Sequence, residues 1–217
     1  MKILIGCEYS GIVRDAFIKK GHNAISCDIL ETEQSGPHYK GDIFDIINND
    51  FDMLIAFPPC TYLSSAGLHL CQIDKYGSKA IERIKKRHLA TEFFLNLWDC
   101  GIPKICLENP VGFISHSVLK QTQIIHPFYF GERQMKRTAL WLKNLPPLIH
   151  SHQDNLFEQK THTKKPDPER IEIRKETGKI KNRYFTDCFV GNSRLKTQHE
   201  KSKTFQSIAD AMAEQWG

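Results

Sequence analysis

The sequence has no run of about 18 or more apolar residues, the length that a membrane-spanning helix requires. It has no Cys-x-x-Cys pair, and its 7 cysteines are an odd number. A disulfide framework and a structural zinc site are therefore not expected. The first residues, Met1–Gly6, are too short and wrongly flanked for a signal peptide. These absences predict a cytoplasmic protein with no membrane association and no bound metal.

Positive charge is scarce along most of the chain and concentrated towards its C-terminal end. Residues 160–203 contain 13 Lys and Arg against 6 Asp and Glu, whereas all other residues together contain 17 against 19. A basic segment on a near-neutral body favours a polyanionic partner, of which nucleic acid is the simplest. A solvated loop without a partner has the same composition, so charge alone leaves both interpretations open.

Strand and helix patterns alternate along the first half of the chain. Apolar runs predict strands over Lys2–Gly6, Asn23–Asp28, Asp52–Phe57, Lys104–Leu107 and Thr138–Leu142. Helical spacing predicts helices over Gly11–Lys20, Lys79–Cys100 and Ser207–Trp216. The buried side of the long second helix is expected to consist of Ile81, Ile84, Ala90, Phe93, Phe94, Leu97 and Trp98. This alternation predicts an α/β fold with a largely parallel sheet.

The composition changes after Leu148. Residues 149–203 are polar, basic and poor in apolar residues, and residues 204–217 return to a helical pattern. We therefore expect a main domain over residues 1–148, a small basic region over residues 149–203, and a C-terminal helix that returns to the main domain.

Parallel sheets bind ligands at the carboxyl ends of their strands, and several polar residues follow predicted strands here. The turn Tyr9-Ser10-Gly11 lets a ligand approach backbone N–H groups at the start of a helix. Asp28 ends the second strand, where a carboxylate can hold the two hydroxyls of a ribose. A tight turn and a helix N-cap use the same residue types, so neither feature decides the function alone.

Cys60 follows a strand and two prolines, which places its thiol on a stiff turn. The thiolate is the reactive form, so a catalytic site must lower the pKa of the thiol or remove its proton. Glu108 follows a later strand and can hydrogen-bond a ring nitrogen and an exocyclic amine of a base. The segment Phe130–Arg137 carries three cations that suit phosphate contacts. A structural cysteine, a capping acid and a solvated charge run remain the alternatives.

Taken in order, these segments resemble the motifs of cytosine-C5 DNA methyltransferases, in the compact form found in phages and prophages. Tyr9-Ser10-Gly11 resembles the turn that cradles the methyl donor, S-adenosylmethionine. Asp28 matches the acid that binds the donor ribose, and Asp42 matches the acid that contacts its adenine. The resemblance also assigns Pro58 to the donor-binding residues.

The nucleophile and substrate motifs complete the resemblance. The segment Pro59–Gly67 resembles the nucleophile motif, Glu108-Asn109-Pro110 resembles Glu-Asn-Val, and Gln134–Thr138 resembles Gln-x-Arg-x-Arg. The resemblance implies that Cys60 adds to C6 of cytosine, that Glu108 binds N3 and the exocyclic amine, and that two cations hold the carbonyl and a flanking phosphate. The implied catalytic residues are Cys60, Glu108, Lys136 and Arg137, and the implied substrate-binding residues are Ser64, Asn109 and Gln134.

The resemblance implies a Rossmann-like S-adenosylmethionine-dependent methyltransferase fold, with residues 1–148 as the catalytic domain and residues 149–203 as a small target-recognition region. It implies DNA as the partner, with a flipped-out or single-stranded cytosine, because a base inside a duplex cannot reach such a site. Thr61, Leu63 and Pro110 depart from the family pattern. A methyltransferase acting on RNA or a nucleotide and a catalytically silent nucleic-acid binder therefore remain alternatives.

Overall fold

Seven strands form one sheet in the computed structural model, which describes residues 1–150, 166–168, 170–173, 178, 180–183 and 203–217. The strands are β1 (Lys2–Gly6), β2 (Asn23–Asp28), β3 (His38–Lys40), β4 (Met53–Ala56), β5 (Lys104–Pro110), β6 (Gln123–Ile125) and β7 (Thr138–Lys143). Their order is β3-β2-β1-β4-β5-β7-β6. Strands β1 to β5 pair in parallel, whereas β7 is antiparallel to both of its neighbours. The predicted fold, a mostly parallel Rossmann-like sheet flanked by helices, is confirmed.

Helices cover both faces of this sheet. The helices are α1 (Ile12–Lys19), α2 (Ser65–Leu68), α3 (Ile73–Tyr76), α4 (Ser78–Trp98), α5 (Phe113–Ser117) and α6 (Gln206–Trp216). Single turns of 3₁₀ helix lie at Ile43–Asp45, His69–Cys71 and Pro127–Phe130. In the described part of the chain, none of the helices is both long enough and apolar enough to cross a membrane.

The alternation of side chains along β1 divides the core into two layers. Ile3 and Ile5 pack with Phe17 of α1 and with Met212 and Trp216 of α6. Leu4 lies on the opposite face with Leu54, Phe94, Leu97 and Trp141. Burial of each of these side chains stabilises the fold by roughly 1.5–3 kcal/mol.

Two details of the sequence interpretation are wrong. Glu108 lies inside β5 instead of following it, because the antiparallel partner β7 extends the pairing from Leu107 to Pro110. Ile81 is 46% exposed instead of buried. Only the C-terminal part of α4, with Phe94 and Leu97, packs on the sheet, so the apolar residues of this helix do not form one buried stripe.

The predicted basic region over residues 149–203 lies largely outside the described residues. Within it, β8 (Arg170–Ile173) and β9 (Ile180–Arg183) pair as an antiparallel two-stranded sheet. The side chains of Ile173 and Ile180, which are directly opposite each other, are exposed.

Candidate active site

The carboxyl ends of β4 and β5 lie side by side and carry the two residues expected to do the chemistry. Ala56 pairs with Leu107, so the turn Pro58-Pro59-Cys60 follows one strand next to Glu108 on the other. This register explains why two residues 48 positions apart in the sequence are neighbours in the fold. The Cys60 thiol is half-buried.

The turn before Cys60 is fixed by a buried side chain. The amide nitrogen Nδ2 of Asn109 donates a 2.7 Å hydrogen bond to the carbonyl of Pro58. Asn109 is 1% exposed, and its Oδ1 atom is buried with no hydrogen-bond partner in the described structure. Its predicted contact with the substrate stays a prediction, and the geometry adds a supporting role for the nucleophile turn.

The loop after Cys60 closes on itself. The carbonyl of Cys60 accepts hydrogen bonds from the N–H groups of Leu63 and Ser64, both at 3.0 Å. Ser64 is the N-cap residue of α2 and forms an isolated bridge with Gly112, while the N–H of Phe113 donates to the carbonyl of Leu63 at 2.7 Å. Only glycine fits at position 112, because an added Cβ atom would lie 2.2 Å from the carbonyl oxygen of Leu63.

The charges of Glu108 and Lys136 both act on the Cys60 thiol. Burial and the negative charge of Glu108 raise the pKa of the Cys60 thiol, whereas the positive charge of Lys136 lowers it. Burial also raises the pKa of Glu108, again opposed by Lys136. The structure therefore brings these three predicted catalytic residues within interaction range of one another. The resting cysteine is a thiol, so a thiolate requires a change that accompanies substrate binding.

The remaining residues of the predicted substrate motif lie before β7. Arg137 is exposed, and Gln134 is half-buried, with its Oε1 atom buried and without a partner among the described residues. The carbonyl of Gln134 accepts a hydrogen bond from the N–H of Phe128. Thr138, which stands where the family pattern has its second arginine, is buried.

The turn after β1 is organised by a carboxylate to which the sequence interpretation gave no role. Glu8 is 4% exposed, and its Oε1 atom accepts hydrogen bonds from the Ser10 hydroxyl at 2.7 Å and from the N–H of Val13 at 3.1 Å. Burial raises the pKa of Glu8 against these two bonds. Gly11 has φ +77°, which favours glycine, and it precedes α1. Ser10 is thus buried with its hydroxyl committed to Glu8, while Tyr9 is also buried.

The two acids predicted to bind the donor lie at the same edge of the sheet. Asp28 ends β2, and its Oδ1 atom accepts the N–H of Leu30 at 3.0 Å. Asp42 precedes a 3₁₀ turn and accepts the N–H of Phe44 at 3.0 Å. Both acids contribute to the raised pKa of Cys7, which shows that their charges converge beside the end of β1.

Chemistry suited to an adenosyl group is present at this edge. The carboxylates of Asp28 and Asp42 can accept hydrogen bonds from hydroxyl and amino groups and attract a cationic sulfonium. Ile29, which follows Asp28, is 75% exposed and offers an apolar surface to a planar ring. These residues fit S-adenosylmethionine. No cluster of His, Cys, Asp and Glu within the described residues has the geometry of a metal site.

Two arginines that the sequence interpretation missed fix loops around the site. Arg14 is fully buried and bonds the carbonyl of Gln34 at 3.1 Å and the hydroxyls of Ser26 and Thr32 at 3.2 Å. Arg83 bonds the loop after Cys60. Arg14 follows Val13 on the inward face of α1, a position that could have signalled its burial, whereas nothing local in the sequence marks Arg83.

Comparison with known proteins adds little to these observations. No protein-family model matches the chain, and no curated protein matches it. Among solved structures, the chain is similar to the Dnmt2 methyltransferase of S. pombe, with 15% sequence identity and a TM-score of 0.36. The match covers 67% of this chain and 50% of that chain, so the chain spans about half the length of the solved structure. A function for this chain is therefore inferred from its strand order and the geometry of its site.

Proposed function

We propose that the chain transfers the methyl group of S-adenosylmethionine to C5 of cytosine in DNA, with Cys60 as a covalent nucleophile. The observation that carries the proposal is that Cys60, after β4, lies close to Glu108, near the end of the adjacent strand β5, and to Lys136, which precedes β7. A thiol can supply the nucleophile for addition to a pyrimidine, while a carboxyl group and a cation can stabilise the negative charge that develops on the ring.

Cys60 starts the proposed reaction. When the substrate binds, the Cys60 thiol transfers a proton to water, and the resulting thiolate forms a bond to C6 of the ring. The electron pair of the C5–C6 double bond moves towards C5 and N3. The pKa of Glu108 is raised by burial, so its carboxyl group can be protonated at a higher pH than an ordinary carboxyl and can donate a proton to N3. Lys136 stabilises the thiolate and the negative charge that develops on the ring.

The later steps restore the aromatic ring. When bound, S-adenosylmethionine supplies an electrophilic methyl group for C5. The N3 proton returns to Glu108, the C5 proton passes to water, and the electron pair of the broken C5–H bond re-forms the C5–C6 double bond as the C6–S bond breaks. This releases 5-methylcytosine and leaves Cys60 as a thiolate, which takes a proton from water. The proposed donor-binding residues are Tyr9, Ser10, Gly11, Asp28, Asp42 and Pro58, and Ser10 acts by holding Glu8 at the turn.

Buried acceptors and surface charge support the proposed acceptor. Among the described residues, none donates to the buried Oδ1 atom of Asn109 or the buried Oε1 atom of Gln134, so both atoms are acceptors that an exocyclic amine can satisfy. The excess of cations in residues 160–203 supports a nucleic-acid partner over a free nucleotide. DNA is proposed because the order of motifs resembles that of enzymes acting on DNA, and RNA is the alternative acceptor.

Transfer of label from S-adenosylmethionine tests the proposal. The protein is incubated with labelled donor and separately with single-stranded DNA, duplex DNA, RNA and cytidine nucleotides, and the modified nucleosides are identified by mass spectrometry. We expect 5-methyldeoxycytidine in DNA. Exclusive labelling of RNA or nucleotide overturns the choice of acceptor, and absence of transfer to every acceptor overturns the methyltransferase proposal in favour of a silent binder.

A further inference from the structure

The loop that follows Cys60 is held by hydrogen bonds from a side chain in a different part of the fold. Arg83 lies in the second turn of α4, and its Nε atom donates to the carbonyl of Gly67 at 3.1 Å. Its Nη2 atom donates to the carbonyl of Thr61 at 3.0 Å. One guanidinium group therefore joins the two ends of the loop between Thr61 and Gly67.

The loop also accommodates this guanidinium through an aromatic ring and a glycine. The guanidinium carbon of Arg83 lies 5.1 Å from the centroid of the Tyr62 ring, which is within the range of a cation–π contact. Gly67 leaves the space that the guanidinium occupies, because an added Cβ atom would lie 2.1 Å from Nη2 of Arg83. A carbonyl, a ring and a second carbonyl of one loop thus face the same cation.

The hydrogen bonds from Arg83 hold the chain after Cys60, and a hydrogen bond from Asn109 holds the chain before it. Asn109 holds the carbonyl of Pro58, two residues before the nucleophile, and Arg83 holds the carbonyl of Thr61, one residue after it. Cys60 is therefore fixed from both directions along the chain. Since the rigid fork of arginine makes two bonds at once, lysine cannot reproduce this arrangement.

We propose that Arg83 is a positioning residue that holds the loop from Thr61 to Gly67 so that the Cys60 thiol is presented to the base and shielded from other reagents. The presentation of the thiol to a base rests on the proposed function, whereas the shielding does not. Release of the loop then has two opposite effects. Addition of Cys60 to a base becomes slower, and reaction of Cys60 with a small alkylating reagent becomes faster because its burial is lost.

Two measurements on the full chain test the proposal. The first is the rate of iodoacetamide alkylation of each cysteine, followed by peptide mass spectrometry. The second is the rate of covalent adduct formation with a single-stranded oligodeoxynucleotide containing 5-fluorocytosine, in the presence of S-adenosylmethionine. Arg83→Met is expected to raise the alkylation rate of Cys60 about tenfold and to lower the adduct rate by a similar factor. For Arg83→Lys, both rates are expected to lie between those of Arg83→Met and those of the wild type. Full recovery of both wild-type rates by lysine contradicts the role of the two simultaneous hydrogen bonds.

Internal controls separate loop release from unfolding. Cys27 and Cys106 are fully buried, and their alkylation reports loss of the whole fold. Lys85→Gln is the matched control, because Lys85 is an exposed cation on the same helix; both of its rates should equal those of the wild type. If Arg83→Met unfolds the chain, Gly67→Ala decides the question, since it displaces the guanidinium and places a better helix former in α2.

The alkylation result stands even if the wild type forms no adduct, so failure of the proposed function is distinguishable from failure of this inference. Equal alkylation of Cys60 in the wild type, Arg83→Met and Gly67→Ala overturns the positioning role, whatever the adduct rates are.

Discussion

The side-chain amide of Asn109 donates a buried 2.7 Å hydrogen bond to the carbonyl of Pro58, and this bond joins the end of β5 to the turn that carries Cys60. The residue next to the proposed ring-binding acid thus supports the proposed nucleophile.

Removal of this bond should loosen the nucleophile turn. Asn109→Ala leaves the Pro58 carbonyl without its side-chain donor, which costs about 1–3 kcal/mol of the free energy of unfolding. Urea denaturation measures this loss, and we expect faster alkylation of Cys60 in the folded variant. Gln215→Ala is the control, because Gln215 donates a 2.8 Å bond to the carbonyl of Ile149 at an exposed site. An unchanged Cys60 alkylation rate in Asn109→Ala contradicts the supporting role.

The raised pKa of Glu108 predicts a pH-dependent effect on stability. Because its pKa in the folded state is raised, Glu108 stabilises the fold fully below the ordinary carboxyl pKa of about 4.3, and this contribution is lost as the pH rises through the folded-state pKa. Glu108→Gln mimics the protonated acid. Its free energy of unfolding should therefore match the wild type near pH 4 and exceed it near pH 8, as measured by denaturation at each pH. A stability difference that stays constant with pH contradicts the raised pKa.

The donor site is tested by thermal shift. S-adenosylmethionine should raise the Tm of the chain, because a ligand that binds only the native state stabilises it. Asp28→Asn should reduce this rise in Tm by weakening the contact with the ribose of the donor. Asp42→Asn should reduce it by weakening the contact with the adenine. Asp74→Asn, a change of an exposed acid in α3, should leave it unchanged. Absence of binding to the folded wild type in calorimetry removes the donor-site proposal.

The basic segment should give binding a steep dependence on salt. Its 13 cations are expected to release counterions from a nucleic-acid backbone, so affinity falls as salt rises. Flattening of the slope is expected when four of its lysines are changed to glutamine: Lys164, Lys165, Lys179 and Lys181. The control changes four exposed lysines elsewhere: Lys19, Lys75, Lys79 and Lys120. Binding that is equally tight at low and high salt argues against an electrostatic contact.

Local patterns predicted most of the sheet. The strands β1 and β2 have the bounds that their apolar runs indicated, because buried parallel strands consist of continuous apolar residues. The strands β3 and β6 were missed because each has three residues and is held by backbone pairing with β2 or β7. A strand of three residues at the edge of a sheet is too short to show a hydrophobic periodicity in the sequence.

The candidate site was predicted residue by residue but not as a network. The resemblance placed Cys60 and Glu108, whereas the contact between Arg83 and the loop spans 22 residues and depends on how α4 packs. The role of Glu8 was missed for a related reason. A carboxylate after a strand is common, and only the fold shows that it accepts two bonds at the start of α1.

Covalent trapping tests whether the Cys60 thiol is the nucleophile. A cytosine with fluorine at C5 cannot lose its C5 substituent as a proton, so the protein should remain bonded to such an oligodeoxynucleotide when S-adenosylmethionine is present. Peptide mass spectrometry should locate the bond at Cys60. The change Cys60→Ser should abolish it, because a serine hydroxyl is far less ionised at neutral pH. Cys71→Ser should have no effect. A Cys60→Ser protein that still methylates cytosine C5 at the wild-type rate would show that Cys60 is not the nucleophile.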